Sequence, residues 1–264
     1  MGYGIFYAHL EGEAARRNRP VEGILKEAAA LGADRLTLSD TALPKALPHI
    51  KAAGCGVNIL YCVCQLIHGE DLDKAKAAAH AAAEAGAEIL MLVPGFYREG
   101  QTFQDALKTA APLISEIVSL CDGLGIHCAI EDYGGYLTPY SLVPQIREFL
   151  AAVPGLKFVY DSGNILYHRQ DPLELWDATV DRIVGVHGKD LSFVPSEGSV
   201  ETVTPARDRM YPTAFGSGAL KSEEIRARIR ALRIPPERIT FEHDGNGAPD
   251  SFEFLRKSLE FIRG

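Results

Sequence analysis

Long apolar runs are missing from this 264-residue chain. No stretch approaches the roughly 18 consecutive apolar residues that a membrane-spanning helix requires. The N-terminus, Met1-Gly2-Tyr3-Gly4-Ile5, also lacks the basic segment followed by an apolar one that marks a secretory signal. A cytoplasmic protein with no membrane partner is therefore expected. Surplus basic charge is missing too: 27 Lys and Arg stand against 35 Asp and Glu, a formal net charge of −8. Such a balance offers polyanions no basic surface, so no nucleic-acid partner is expected. Cysteine is sparse and odd in number, five in all, with Cys55, Cys62, Cys64 and Cys128 in apolar strand-like runs and Cys121 at a helix end. Reduced, buried thiols fit that distribution better than a disulfide framework. Cys62 and Cys64 have no further Cys or His at zinc-site spacing. Finally, no glycine-rich phosphate fingerprint follows the first strand, where Ala8-His9-Leu10-Glu11-Gly12 stands instead, which argues against a doubly wound nucleotide-binding sheet.

What the chain does have is a repeated alternation of short apolar runs and helical segments. Residues 4–10 read as a first strand, and 21–31 as an alanine-rich helix stopped by Gly32, a residue suited to the left-handed cap. Strands follow at 35–39, 57–64, 88–93, 126–131, 156–161, 182–187 and 238–242. Helices fall between and after them at 44–53, 71–85, 103–124, 141–152, 172–179, 220–232 and 251–262. Residues 191–218 show little periodicity and are expected to form a long loop. Continuous apolar strands, each followed by a helix, describe a parallel sheet covered on its outer face. Eight such units in about 260 residues predict one domain spanning 1–264, a closed (β/α)8 TIM barrel.

Four of these strands finish in ionisable residues: Glu131-Asp132, Asp161, His187-Gly188-Lys189-Asp190 and Glu242-His243-Asp244. In a barrel of this kind the C-terminal strand ends line the active site. Side chains alternate along a strand, so Glu131, Asp161, His187 and Glu242 each fall at the last inward position. Three carboxylates converging in one cavity would repel and shift upward in pKa unless a cation neutralised them. A divalent metal ion resolves the conflict, and the oxygen and nitrogen donor set points to Mn2+ first, with Co2+, Mg2+ or Zn2+ as alternatives. Such an ion would polarise a substrate carbonyl or hydroxyl. Glu131 and Glu242 could then act as an acid/base pair, one removing a carbon-bound proton beside a carbonyl to leave a metal-stabilised enediolate. Return of the proton to the opposite face is epimerisation, return to the neighbouring carbon is aldose-ketose isomerisation, and loss of a β-hydroxyl is dehydration.

Around this core stand residues with two readings each. Lys189 either orients a substrate oxygen or phosphate, or pairs with Asp190 or Asp161. Asn164 is a substrate contact or a turn residue. His9 and His68, at or after the first and third strands, either line the pocket or belong to loops. Gly216-Ser217-Gly218 cradles a phosphate before the next helix or makes a tight turn, and His243 should be structural.

The segments Ile130-Glu131-Asp132, Tyr160-Asp161-Ser162-Gly163-Asn164, Val186-His187-Gly188-Lys189-Asp190, Phe215-Gly216-Ser217-Gly218-Ala219-Leu220 and Phe241-Glu242-His243 resemble the successive motifs of the xylose isomerase-like barrel superfamily. That group includes sugar and sugar-phosphate isomerases and epimerases, ketose 3-epimerases, inosose dehydratase and endonuclease IV. The resemblance implies that Glu131, Asp161, His187 and Glu242 are metal ligands, with the two glutamates also serving as acid and base in epimerase members. It implies a small carbohydrate substrate. Asn164 and Lys189 stand where ketose 3-epimerases carry a histidine and an arginine, and Val93 where endonuclease IV needs a histidine. A lyase using the same site is the alternative, and a catalytically silent sugar-binding subunit a further one. A homo-oligomer is compatible with the sequence.

Overall fold

The computed structural model describes residues 2–134, 138–195, 201–243 and 250–264, so Asp244, at the end of the last ionisable run, lies outside the described residues. The first seven strands are β1 (Tyr3–Phe6), β2 (Ala33–Ser39), β3 (Gly56–Val63), β4 (Ile89–Val93), β5 (His127–Glu131), β6 (Lys157–Asp161) and β7 (Ile183–Gly188). Three short strands come next, β8 (Asp190–Ser192), β9 (Thr202–Val203) and β10 (Arg209–Thr213), and then β11 (Ile239–Phe241). Strands β1 to β7 and β11 close into a parallel barrel in the order β1-β11-β7-β6-β5-β4-β3-β2. The protein is a closed (β/α)8 barrel, as the alternation predicts.

The helices are α1 (Tyr7–Arg16), α2 (Val21–Leu31), α3 (Leu43–Ala52), α4 (Leu72–Ala85), α5 (Phe103–Leu124), α6 (Val143–Ala152), α7 (Pro172–Thr179), α8 (Ser222–Leu232) and α9 (Ser251–Arg263). Their ends follow local chemistry. Helix α5 starts at a capping box between Thr102 and Asp105 and stops at Gly125 in the left-handed conformation, where glycine carries no Cβ penalty. Helices α2 and α4 stop the same way at Gly32 and Gly86. None of the described helices is long and apolar enough to cross a membrane.

Two expectations need correction. The first strand ends at Phe6, and residues 7–10 open α1 instead, placing His9 on a helix. Tyr7, Leu10 and Ala14 are buried; that three-then-four spacing is a helical stripe, which a short apolar run conceals. The 191–218 segment is not simply a loop: β8, β10 and β9 form a three-stranded antiparallel sheet in that order. Strands of two to five residues are too short to show periodicity.

Inside the barrel, Ile59, Ile89, Met91, Ala129, Val159 and Val184 form a separate apolar cluster. A polar trio is buried with them: Thr37 Oγ1 lies 3.0 Å from Thr240 Oγ1 and 3.1 Å from Asn58 Oδ1, and Asn58 Nδ2 donates to Thr240 Oγ1 at 2.8 Å. Gly4 gives this trio its room, since a Cβ there would collide with Thr240 and Asn58. The outer core, between sheet and helices, is the larger apolar cluster.

Candidate metal centre

Glu131 and Asp161 are the last residues of β5 and β6, His187 is the penultimate residue of β7, and Glu242 follows β11 directly. In the ring these strands are consecutive, β11-β7-β6-β5. The four residues far apart in sequence thus come from one contiguous half of the barrel. Each offers one ligand atom, and those atoms all lie within 4.8 Å of one another. Glu131, Asp161 and His187 are buried, and Glu242 partly so.

Local structure aims each group. The chain turns sharply after β6, and Asp161 Oδ1 accepts from the N–H groups of Gly163 at 2.8 Å and Asn164 at 2.7 Å. This aspartate turn fixes the carboxylate and leaves Oδ2 buried without a hydrogen-bond partner among the described residues. An orphaned buried carboxylate oxygen costs roughly 1–3 kcal/mol or more, and a cation would satisfy it. His187 Nδ1 lies 2.7 Å from Glu131 Oε2 and 3.7 Å from Glu242 Oε2, while Nε2 is buried without a partner among the described residues. Phe6 packs edge-on against the imidazole at 5.0 Å. The residues present fit a divalent cation: three carboxylates, one imidazole, and an unclaimed oxygen at the centre.

Electrostatics agree with that fit. Burial pushes the Asp161 carboxyl up to about 7, with Lys189 opposing the rise and the charges of Glu242 and Glu131 adding to it. For His187, burial works against the imidazolium, but the charge and hydrogen bond of Glu131, then Glu242 and Asp161, outweigh it and raise the pKa. Behind them sits Asp132, which was not singled out among the sequence candidates. Its Oδ1 accepts from the Asp161 N–H at 3.4 Å. Burial, then Asp161 and Glu131, push its carboxyl well above the usual range. The Glu131-Asp132 pair at a strand end was the available signal.

Lys189 reaches two groups the sequence did not pair it with. Its ammonium donates to Glu242 Oε1 at 2.8 Å and to Asn164 Oδ1 at 2.9 Å, and Asn164 Nδ2 donates to the Asp132 carbonyl at 2.9 Å. Asn164 and Lys189 thus tie β5, β7 and Glu242 together. Asp190 has a different task. Its carboxylate accepts from the N–H groups of Gly216 at 3.1 Å, Gly218 at 3.0 Å and Leu220 at 3.3 Å, and from the Ser222 hydroxyl at 3.0 Å. The Gly216-Ser217-Gly218 turn therefore spends its backbone donors on Asp190 rather than on a phosphate. Asp190→Ala should strip several buried donors at once and lower stability by roughly 3 kcal/mol, read as a drop in the urea midpoint; an unchanged midpoint would dismiss the role.

Beside the four converging residues lies a cavity of about 180 Å3. Phe6, Tyr61, Phe96 and Tyr133 give it aromatic walls, Val63, Met91 and Val93 aliphatic ones, and Glu131 and Glu242 form its polar side. His9 and His68 support this wall from behind. His9 packs on Phe6 at 5.7 Å and accepts the His243 N–H at 3.1 Å, and His68 Nε2 lies 2.9 Å from the Phe96 carbonyl oxygen. His243 is fully buried, stacked on His9 at 5.6 Å, and burial holds its pKa well below the ordinary value. The aromatic walls were not among the sequence candidates; the one signal was the inward alternation of Ile59 and Tyr61 on β3.

A family model described as the xylose isomerase-like TIM barrel matches residues 65–258. Curated proteins yield no match. Among solved structures, the probable 3-DHS dehydratase AsbF involved in petrobactin synthesis from Bacillus anthracis superposes with a TM-score of 0.73 at 15% identity, over 100% of this chain and 99% of that one. D-Psicose 3-epimerase from Clostridium cellulolyticum H10, solved with D-tagatose, gives 0.71 at 12% identity, over 100% and 98%. The IOLI protein with a bound zinc atom gives 0.70 at 14% identity, over 100% and 95%. At these identities the likeness speaks for the fold.

Proposed function

The chain belongs to the xylose isomerase-like TIM barrel family, and from that premise we propose that it is a divalent-metal-dependent enzyme acting on a carbohydrate, an isomerase or epimerase. The observation that carries this reading is the convergence of Glu131, Asp161, His187 and Glu242 within 4.8 Å around the unpartnered Asp161 Oδ2. The donor set favours Mn2+, with Co2+, Mg2+ or Zn2+ as alternatives; zinc is the ion named for IOLI. When bound there, the ion would supply Lewis acidity at a substrate carbonyl or hydroxyl.

The chain's own groups divide the remaining work. Asp161 and His187 are fully buried and serve only to hold. Glu131 and Glu242 also line the cavity, so they alone of the four can reach a substrate carbon or oxygen. One of them takes the proton next to the carbonyl and the other, or the same one, returns it. Lys189 neutralises Glu242 and orients it, and Asn164 holds Lys189. A second reading, elimination of a β-hydroxyl as in a dehydratase, draws on the same two glutamates that line the cavity: one takes the proton beside the carbonyl and the other, in its protonated form, gives a proton to the departing hydroxide.

Protein loaded with magnesium, a diamagnetic ion, can be incubated in deuterated water with ketoses, aldoses and keto-inositols and followed by NMR, which separates the outcomes. Exchange at one carbon with inversion or carbonyl migration is expected. Loss of water would favour the lyase. No exchange with any substrate, despite bound metal, would end the enzyme reading.

A further inference from the structure

The cavity beside the ligands has a composition that selects among carbohydrates. Its only charged wall residues among those described are Glu131 and Glu242. Of the cations beside it, Lys189 is buried and committed to Glu242 and Asn164, and Lys74 is exposed and donates to the Val63 carbonyl at 2.6 Å. The segments 135–137, 196–200 and 244–249 read Gly-Tyr-Leu, Ser-Glu-Gly-Ser-Val and Asp-Gly-Asn-Gly-Ala-Pro, with no Lys, Arg or His. They add no positive charge to whatever they border. The turn best suited to hold a phosphate, Gly216-Ser217-Gly218, has its donors on Asp190.

Charge balance points the same way. Three carboxylates at the centre are matched by one dication and the Lys189 ammonium, and Asp132 adds no positive charge in either protonation state. At the four converging residues no positive charge is left over, and the ammonium at the rim, Lys74, donates to the Val63 carbonyl at 2.6 Å from the exposed side, so a phosphate or carboxylate brought into the low-dielectric interior would meet no cation among the described wall residues. The rest of the wall is apolar and aromatic, with Phe6 and Tyr61 at 6.1 Å from one another and Phe96 edge-on to Tyr133 at 5.3 Å. Such a wall suits the C–H face of a sugar ring or chain. At about 180 Å3 the space lies below the roughly 300–1,000 Å3 typical of drug-sized ligands.

We infer that the substrate is a neutral, monosaccharide-sized carbohydrate, free of phosphate and carboxylate, whose C–H face lies on Phe6, Tyr61, Phe96 and Tyr133. The inference rests on the proposed function for where the substrate binds, and not on which reaction follows.

Sugar alcohols test it without turnover, because they have hydroxyls but no carbonyl to react. Calorimetric titration of the metal-loaded protein with pentitols and hexitols, each beside its terminal phosphate, should find a neutral polyol that binds at least tenfold more tightly than its phosphate. Val63→Lys places an ammonium on the wall at a residue already 39% exposed, so folding should survive. It should tighten binding of the phosphate at least tenfold. Equal or tighter binding of the phosphates by the unaltered protein would overturn the inference, as would the absence of binding by any neutral polyol at millimolar concentration. Neutral polyols that bind while no sugar exchanges hydrogen in deuterated water would leave this inference standing and remove the proposed reaction.

Discussion

Substrate hydrogen exchange should fall roughly a thousandfold in Glu131→Gln and in Glu242→Gln, the middle of the range that a lost general acid or base produces. Glutamine keeps the shape of each side chain and one ligating oxygen, but it can neither accept nor return the proton. The two variants should differ in a second measurement. Glu131 faces His187 Nδ1 at 2.7 Å, an imidazole that can go neutral when its partner charge is lost. Glu242 instead holds the Lys189 ammonium at 2.8 Å, and that ammonium is buried. Removing one partner of a buried ion pair strands the other charge at a cost of several kcal/mol. Glu242→Gln should therefore melt at a clearly lower temperature than Glu131→Gln, although both are inactive. Full exchange in either variant would remove that residue from the acid/base pair.

Without metal, the protein should grow more stable, not less, as pH falls from 8 toward 5. The folded-state pKa of Asp161 is raised from its ordinary 3.8 to about 7. Its penalty is absent below the lower value, grows as pH rises between the two, and is complete above the upper one. His187 is raised above its ordinary 6.5, so its contribution is present below that value and is lost as pH climbs through the folded-state pKa. Both groups act in one direction, and a tenfold change in proton affinity on folding is worth about 1.4 kcal/mol. A bound cation reverses the slope, because it needs the carboxylates ionised and competes with protons for them. At free metal roughly a hundred times the dissociation constant it should add about 2.7 kcal/mol, most visibly near pH 8. Urea midpoints across pH 5–8, with chelator and with magnesium, check both halves. Parallel curves would separate Asp161 and His187 from any metal centre.

The barrel was readable because its strands are buried on both faces and so appear as unbroken apolar runs; Ile89–Val93 is buried at every position. The ligands were readable for a related reason: a charge at the end of such a run has no place in a core. What could not be read is partnership. Lys189 stands next to Asp190, yet it reaches 53 residues along the chain to Glu242, and Asp190 turns to donors 26 to 32 residues away. Such choices depend on which strand ends stand side by side. The aromatic walls were hidden by type, since Phe6, Tyr61 and Tyr133 look in sequence like any buried ring.

The ring order has one more consequence. Each of the four converging residues hangs from β11, β7, β6 or β5, whereas Phe6 belongs to β1, Tyr61 and Val63 to β3, and Met91 and Val93 to β4. In the proposed reading, holding the ion would fall to one half-circle and most of the apolar wall to the other, with Tyr133, just after β5, the exception. Substitutions on β3 and β4 would then reshape what fits without touching the converging residues, whereas a change at Phe6 would also disturb the His187 ring it packs against at 5.0 Å.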